Sequence, residues 1–155
     1  MINLLLSELK ACPWTQMRGV AFRGYFIVED TLYCKHSAIE YLLKNIEVMS
    51  ITDVLVKLNG VYSIIIEDNN NIILATDRVR AIPLFYSLIN NDVLVSDNVN
   101  NIYDEMEQVT FNTVAIEDYK KNGLFVSGRD TLFNEVKQVQ AGEYVQYNKH
   151  DSKLI

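Results

Sequence analysis

The chain has 155 residues, a length that fits one compact domain with one continuous core. Hydrophobic residues make up 49% and charged residues 22% of the chain, as in ordinary soluble globular proteins, which argues against extensive disorder. The net charge is −6, and the only close pairs of basic residues are Arg78 with Arg80 and Lys120 with Lys121. Nucleic-acid binding requires a basic face, so the composition argues against it.

The N-terminal segment does not have the form of a signal peptide. Its apolar run is short, Glu8 interrupts it, and no basic region precedes it. No other stretch approaches the length that crosses a bilayer. Cys12 and Cys34 fit no metal-binding spacing, and a domain of this size needs no disulfide. We therefore expect a cytoplasmic protein with two reduced thiols, no membrane association, no metal site and no cofactor.

The first predicted elements alternate between strand and helix. Residues 1–16 give no clear prediction, and residues 17–32 predict strand that ends in a turn at Glu29 and Asp30. Ser37 and Glu40 have the spacing of a capping box, followed by apolar residues at helical spacing. They predict a helix over residues 38–47, and a second short helix is predicted over residues 51–58.

The middle of the chain predicts two hairpins. Residues 60–67 and 72–75 are strands joined by an Asp/Asn-rich turn at 68–71, and residues 84–89 and 93–95 are joined by a similar turn at 90–92. The apolar run at residues 64–66 does not alternate, which predicts a strand that is buried on both faces.

The last third predicts two more helices and further extended segments. A short helix is predicted over residues 97–103, and Asn112 is expected to cap a helix that runs through Lys121 and ends at Gly123. Residues 131–147 read as extended segments around a break at residues 141–142. Since no linker or repeat is visible, the sequence predicts a single α+β layered domain over residues 1–155.

Four segments carry a resemblance to a known family. Residues 58–68 (LNGVYSIIIED) resemble the L-N-G-x-F-A-F-x-x-x-D strand of class II glutamine amidotransferase domains, the N-terminal-nucleophile glutaminases at the front of asparagine synthetases. Residues 75–86 (ATDRVRAIPLFY) are similar to the family's A-R-D-R-x-G-x-K-P-L-Y-Y. Residues 93–97 (VLVSD) stand where the family has x-L-x-F-A-S-E, and residues 131–142 (TLFNEVKQVQAG) are similar to T-L-F-x-x-I-x-x-L-x-P-G. The resemblance implies a four-layer αββα sandwich of two antiparallel sheets, the Ntn-hydrolase fold.

Most of the matched residues have a structural explanation. The structural positions of these motifs are Asp77, Arg78, Pro83, Ser96 and Gly142. Gly60 is expected to allow close packing at the start of a strand, and Pro83 to fix a turn. We expect Asp77 and Arg78 to form a fixed ion pair rather than to contact a substrate.

The resemblance also implies what a working glutaminase site would contain. The family's nucleophile is a cysteine directly after the initiator methionine, with its own α-amino group as the base. This chain has Ile2 at that position, with neither a thiol nor a hydroxyl. The family holds the α-amino group of glutamine with the Asp of an S-D-x-E motif, whereas residues 37–40 of this chain place Ala38 there. Loss of the charge partner of a buried ammonium costs about 3–5 kcal/mol.

The remaining substrate contacts of the family are not visible either. Its H-R-G-P-D segment, which grips the substrate carboxylate, and its Y-N-G-E-I-Y-N oxyanion segment have no counterpart here. The degenerate substrate-binding positions are Ser37, Ala38, Asn59 and Gly60. We therefore expect no catalytic residue of the family's kind and no autonomous glutaminase activity.

The two thiols offer an alternative nucleophile. Cys12 would become an N-terminal nucleophile only if the preceding residues were removed, but Pro13 follows it and no processing signal is evident. Cys34 and His36 would share a face of an extended strand and could pair as thiolate and imidazole. The structural readings are a packing thiol at Cys12 and a strand-end cysteine beside a surface histidine. His150 lies in a polar tail and is expected to be solvated.

These observations leave three hypotheses. The first is a pseudoenzyme in asparagine biosynthesis-related chemistry, docked on an ATP-dependent asparagine-synthetase-like domain or protein, or self-associated. Residues 126–130 (VSGRD) lack the second glycine of an S-G-G-x-D-S pyrophosphate loop, so the chain alone is not expected to bind ATP. The second is a thiol amidohydrolase that uses Cys12 or Cys34, and the third is a free-standing module that binds a small ligand. They predict respectively an exposed apolar patch, a thiol of lowered pKa, and a well-formed cleft without a partner domain.

Overall fold

The structure is a computed structural model that describes residues 2–89, 92–123 and 128–154. Positions 90 and 91 of the turn predicted at residues 90–92 lie outside the described residues. Residues 126 and 127 of the VSGRD segment lie outside them as well. The strands are β1 (Ile2–Leu4), β2 (Thr15–Met17), β3 (Val20–Val28), β4 (Thr31–Cys34), β5 (Asn59–Glu67), β6 (Asn71–Thr76), β7 (Phe85–Ile89), β8 (Asp92–Ser96), β9 (Lys137–Gln138), β10 (Tyr144–Asn148) and β11 (Lys153–Leu154). The helices are α1 (Lys35–Ile46), α2 (Ile51–Leu55), α3 (Val99–Asp104) and α4 (Thr113–Asn122).

The chain forms two compact units, each with its own sheet. The larger unit comprises Glu8–Ile82 and Ala141–Ile155, and the smaller comprises Met1–Ser7 and Pro83–Gln140. The predicted α+β class with two sheets is confirmed. No helix in the described part of the chain is long and apolar enough to cross a membrane.

The sheet of the larger unit is antiparallel throughout. Its strands follow the order β11-β10-β6-β5-β3-β2, and β4 also pairs with β3. The longest contact joins β3 to β5, from Val20 opposite Ile66 to Ile27 opposite Asn59. All three residues of the apolar run at 64–66 are buried, which agrees with the prediction for a strand without alternation.

One face of this sheet packs against α1 and α2. Alternate residues of β3 and β5 point to these helices, because side chains on a strand change face at every residue. The apolar cluster includes Phe22, Phe26, Ile64, Ile66, Ile39 and Leu42. The ring of Phe26 lies 5.7 Å from that of Phe22 in an edge-on arrangement and 5.4 Å from that of Tyr33 in a stacked one. This core fixes the orientation of β5, whose motif carried the resemblance.

The smaller unit contains a sheet of order β1-β8-β7-β9. β1 pairs with β8 in parallel, with Ile2 opposite Val93, whereas β7 is antiparallel to both β8 and β9. The predicted antiparallel pattern therefore has one exception. The core of this unit is built around Leu94, Ile102 and Val136.

Local chemistry explains the turn and the helix ends that were predicted well. Asp68 accepts hydrogen bonds from the backbone N–H groups of Asn70 and Asn71, both at 2.7 Å, and so closes the first hairpin turn. Asn112 caps α4 by accepting the N–H of Ala115 at 3.1 Å, and Gly123 ends the helix in the left-handed conformation with φ of 69°. Both helix ends are where the sequence placed them.

The predicted start of α1 is wrong. The helix begins at Lys35 with Cys34 as its N-cap residue, so Ser37 is already its third residue. The Ser37 hydroxyl accepts the Cys34 N–H at 3.1 Å and donates to the Cys34 carbonyl at 2.8 Å. α2 is also shorter than predicted, since it ends at Leu55.

Candidate functional site

Ile2, the residue compared with the family's nucleophile, lies at the start of β1. Ile2 is half-buried and pairs with Val93 of the neighbouring strand. Its apolar side chain contributes to the smaller unit as an ordinary strand residue and supplies neither a nucleophile nor a base.

Ala38, which the motif resemblance places at the family's ammonium clamp, lies inside the hydrophobic core. Ala38 is 0% exposed and belongs to the apolar cluster that α1 forms with β3 and β5. Ser37, its neighbour, is exposed, and its hydroxyl is bonded to the backbone of Cys34. Neither residue of this pair therefore presents a carboxylate to a ligand.

Asn59 and Gly60 begin β5 beside β3. Asn59 is exposed and lies opposite Ile27, and Gly60 lies opposite Phe26. A Cβ atom at position 60 would overlap the carbonyl oxygen of Tyr25 and lie 2.7 Å from the Cα of Phe26. The close packing predicted for Gly60 is therefore present, and it is a requirement of the sheet itself.

Asp77 is a fully buried carboxylate that organises the chain after β6. Its Oδ2 accepts the backbone N–H groups of Tyr62 at 3.2 Å and Ala81 at 3.1 Å, and its Oδ1 accepts that of Val79 at 2.8 Å. Its carbonyl oxygen accepts the N–H of Gly142 at 2.8 Å. Buried charge is stable in a protein only when it is well hydrogen-bonded, and these amides supply that stabilisation.

The predicted ion pair between Asp77 and Arg78 is wrong. In the described structure, the carboxylate is occupied by backbone amides, while an N–H of the Arg78 guanidinium donates to the carbonyl oxygen of Val56 at 3.2 Å. The two side chains therefore have separate partners. Arg78 is exposed and extends towards α2.

The other motif residues also have backbone partners. The hydroxyl of buried Ser96 donates to the carbonyl of Leu5 at 2.6 Å and accepts the N–H of Asn98 at 3.0 Å. Gly142 adopts φ of 67°, a left-handed conformation that favours glycine. Pro83 lies in the connection between β6 and β7. These contacts agree with the structural interpretation of the motifs.

The two thiols lie in different surroundings and neither has a paired base in the described structure. Cys12 is half-buried in a turn, where its N–H donates to the Leu9 carbonyl at 3.2 Å, and Cys34 is exposed. The shared strand face predicted for Cys34 and His36 is wrong, because the backbone enters α1 at Lys35. His150 is exposed, with its Nε2 3.0 Å from the Asn70 side-chain oxygen.

Metal-ligating side chains are scattered in the same part of the chain. Within residues 2–89, 92–123 and 128–154, no group of three or more His, Cys, Asp or Glu side chains could hold a metal ion.

Each unit contains a surface cavity that the sequence did not predict. In the smaller unit, an open depression of about 600 Å³ is lined by Leu88, Met106 and several acidic residues, among them Glu135. The hydrogen bond from the Thr110 hydroxyl, at 2.6 Å, holds the pKa of Glu135 below its usual value. In the larger unit, a cavity of about 240 Å³ lies beside Arg78 and Tyr62.

The second cavity assembles residues that sequence reasoning assigned to the core or to structure. Tyr62 stands two residues before Ile64 on the apolar face of β5, so its pattern is that of a core residue. Tyr144 comes from β10 and is brought beside α2 by sheet pairing. No local signal links positions 62 and 144, which explains why this site was missed.

Comparison with known proteins decides the family. The model of the glutamine amidotransferase domain family matches residues 21–154. The chain belongs to this family. The resemblance of the four motifs to class II glutamine amidotransferase domains is thereby confirmed.

One relative of this glutamine amidotransferase domain is the microcin J25-processing protein McjC of Escherichia coli. The two are 24% identical over 110 residues, which cover 70% of this chain and 21% of McjC. The chain therefore matches about a fifth of the length of that relative. No solved structure matches the chain.

Proposed function

We propose that this domain has lost glutamine hydrolysis and acts structurally, together with an ATP-dependent asparagine-synthetase-like domain or protein. The family supplies the fold, and the residues at the family's catalytic positions supply the reason for the loss. In this proposal the domain works in the cytoplasm, where both of its thiols remain free, and needs no cofactor of its own.

The observation that carries the proposal is the burial of Ala38. A substrate ammonium at the corresponding position needs a carboxylate that faces a cleft, but this side chain is 0% exposed and packs in the core formed with Phe26 and Leu42. Ile2 adds to this, because an aliphatic side chain can neither attack the amide carbon of glutamine nor bear the resulting acyl group.

An exposed apolar strip supports the structural role. Tyr25, Ile27 and Leu32 lie on β3 and β4 with exposed fractions of 44%, 39% and 59%. Ile27 lies directly opposite Leu32, and Tyr25 is two residues before Ile27, so the three side chains share one face. This is the face opposite to α1, since the intervening Phe26 packs in the core. Exposed contiguous apolar surface is typical of a protein–protein contact.

The relative's size points to the same kind of partner. McjC extends well beyond the region that this chain matches, which covers 21% of it. A synthetase domain, fused or separate, is the partner that the family resemblance implies. The apolar strip gives such a partner, or a second copy of the chain, a surface to cover.

A direct test of the lost activity measures release of ammonia from glutamine labelled at the amide nitrogen. We expect no release above the rate in buffer, and no change with the Cys12→Ser or Cys34→Ser variants. Release that disappears in one of these variants would instead establish a thiol amidohydrolase and overturn the proposal. An active glutaminase assayed in the same buffer serves as the positive control.

The apolar strip is tested by sedimentation velocity over a range of chain concentrations. We expect concentration-dependent association that Leu32→Lys weakens, since a charge in an apolar contact is costly. Val48→Lys is the matched control, because Val48 is 76% exposed and lies outside the strip, after α1. Equal effects of the two substitutions would contradict a role for the strip.

A further inference from the structure

The cavity beside Arg78 is a pocket with a mixed lining, built entirely within the larger unit. Leu55 and Val56, at the C-terminal end of α2, supply apolar lining, and strands β5, β6 and β10 supply further lining residues. Its volume of about 240 Å³ is enough for a small organic molecule and too small for a nucleotide. None of the family's degenerate positions lines it.

Tyr62 is a buried residue that lines this cavity. The residue is 4% exposed, and its ring meets Phe26 edge-on at 6.2 Å. Its backbone N–H donates to Asp77, whereas its hydroxyl makes no hydrogen bond to any residue that the structure describes. Burial raises the pKa of Tyr62 to about 12, with the Asp77 charge acting in the same direction and Arg78 opposing it. The hydroxyl therefore stays protonated at neutral pH and can donate to a ligand.

Arg78 brings a positive charge to the same wall. One N–H of its guanidinium donates to the carbonyl oxygen of Val56, which also lines the cavity, so this bond holds the group beside the cavity lining. A guanidinium has about five N–H donors in a planar fork, and this contact uses one of them. The fork matches the two oxygens of a carboxylate.

We infer that this cavity is a binding site for a small organic monocarboxylate. The ligand's carboxylate would accept hydrogen bonds from the Arg78 guanidinium and from the Tyr62 hydroxyl, and its apolar stem would pack on Leu55 and Val56. Tyr144 and Thr52, whose hydroxyl oxygens are 3.2 Å apart, form the remaining polar edge of the site.

The charges around the cavity favour a carboxylate over a phosphate. Arg78 is the one basic residue among the described lining residues, and Glu143 lines the same cavity with the opposite charge. The chain as a whole carries a net charge of −6. Because Glu143 offsets part of the Arg78 charge, a doubly charged phosphate would be repelled more strongly at this site than a singly charged carboxylate. The lining by Leu55 and Val56 further favours a ligand with an apolar stem.

This inference goes beyond the proposed structural role and does not depend on it. A domain without glutaminase activity and a domain with a hidden thiol nucleophile would have the same cavity. The site concerns a separate surface of the larger unit, so each idea can fail while the other holds.

The test is a titration of the full chain, labelled with ¹⁵N, with sodium butyrate, followed by backbone amide NMR shifts. Butyramide at the same concentrations is the neutral control of equal shape, and sodium chloride controls for ionic strength. We expect saturable shifts centred on Thr76, Arg78, Gly142 and Glu143 with butyrate and none with butyramide. Inorganic phosphate is titrated in the same way.

Three variants locate the site. Arg78→Gln removes the positive charge that pairs with the carboxylate, and Tyr62→Phe removes one hydrogen-bond donor to it. Each should weaken butyrate binding about tenfold. Tyr62→Phe retains the buried ring and so preserves the fold. Arg18→Gln removes one charge from exposed Arg18, outside the cavity, and should leave binding unchanged.

The inference is overturned by the absence of saturable shifts, by equal weakening in Arg18→Gln and Arg78→Gln, or by undiminished binding in Tyr62→Phe. Tighter binding of phosphate than of butyrate overturns the carboxylate assignment. Saturable butyrate binding that is lost in both cavity variants and kept in Arg18→Gln supports the site.

Discussion

Restoring the family's carboxylate at position 38 tests whether this position is core or ligand site. The substitution Ala38→Asp introduces the acidic residue that the resemblance to the S-D-x-E motif would place near the start of α1. In a cleft-facing site the change would add an ammonium partner. At the observed position it places a carboxylate against Phe26, Ile39 and Leu42, because Ala38 is 0% exposed.

The expected cost follows from that burial. An unpaired charge in a protein core costs about 3–5 kcal/mol, a large part of the total stability of about 5–15 kcal/mol that domains have. Burial raises the pKa of the introduced carboxyl, so the folded chain keeps its proton to a higher pH than the unfolded chain does. Stability of the variant should therefore fall as pH rises above about 4, where the unfolded carboxyl begins to ionise.

Urea unfolding followed by circular dichroism measures this cost. We expect Ala38→Asp to lose about 3–5 kcal/mol at about pH 8 and less at about pH 5. The matched control is His36→Asp, two residues earlier on the exposed side of α1, where an acidic residue in the first turn changes stability by about 0.5 kcal/mol. An Ala38→Asp variant as stable as this control, with saturable binding of glutamine, would refute the reasoning.

Three further predictions rest on single contacts. Titration of phenolate absorbance should show one of the nine tyrosines, Tyr62, ionising near pH 12, and this step should be absent from Tyr62→Phe. Ordinary pKa values for all of the tyrosines would contradict the burial of Tyr62. Asp77→Asn should lower the free energy of unfolding, measured with urea, by about 2–3 kcal/mol, because it replaces one of two accepting oxygens with an NH2 group that faces a backbone N–H. The exposed Asp68→Asn should cost less than about 1 kcal/mol in the same assay. Gly60→Ala should lower the free energy of unfolding by about 3 kcal/mol, because the added methyl group overlaps the Tyr25 carbonyl. Gly123→Ala should lower it by about 1 kcal/mol, because its methyl group meets open space and only the φ of 69° is unfavourable. Equal losses in the two variants would exclude the steric explanation.

Features with a local cause could be predicted from the sequence. The turn after β5 follows from an aspartate that accepts the amides of the next residues, and the ends of α4 follow from Asn112 and Gly123. The apolar face of α1 follows from helical spacing, as the burial of Ile39 and Leu42 shows. Each of these signals lies within a few residues of the structure that it determines.

Features set by distant parts of the chain could not be predicted in this way. β1 pairs in parallel with β8, with Ile2 opposite Val93, and no local pattern marks two strands so far apart as partners. Helix α1 begins at Lys35, earlier than predicted, because β4 pairs with β3 as far as Cys34 and the helix follows directly. Tertiary pairing overrode the local capping signal at Ser37.

The candidate sites show the same difference between local and distant causes. The absence of a carboxylate at Ala38 can be read directly, because the comparison with the S-D-x-E motif covers residues 37–40. The partners of Asp77 could not be, since they are backbone amides brought to it by folding. The cavity beside Tyr62 and Arg78 is formed by β5, β6, β10 and α2 together, so no sequence motif predicts it.

Intact mass spectrometry after incubation with a diazo-ketone analogue of glutamine tests the central claim most directly. Such an analogue alkylates a nucleophile that sits in a glutamine site, so it reports on the site even where turnover is slow. The loss of glutamine hydrolysis predicts an unchanged mass for the chain. A single stoichiometric adduct on Cys12 or Cys34, blocked by excess glutamine, would contradict the account and establish a working thiol amidohydrolase.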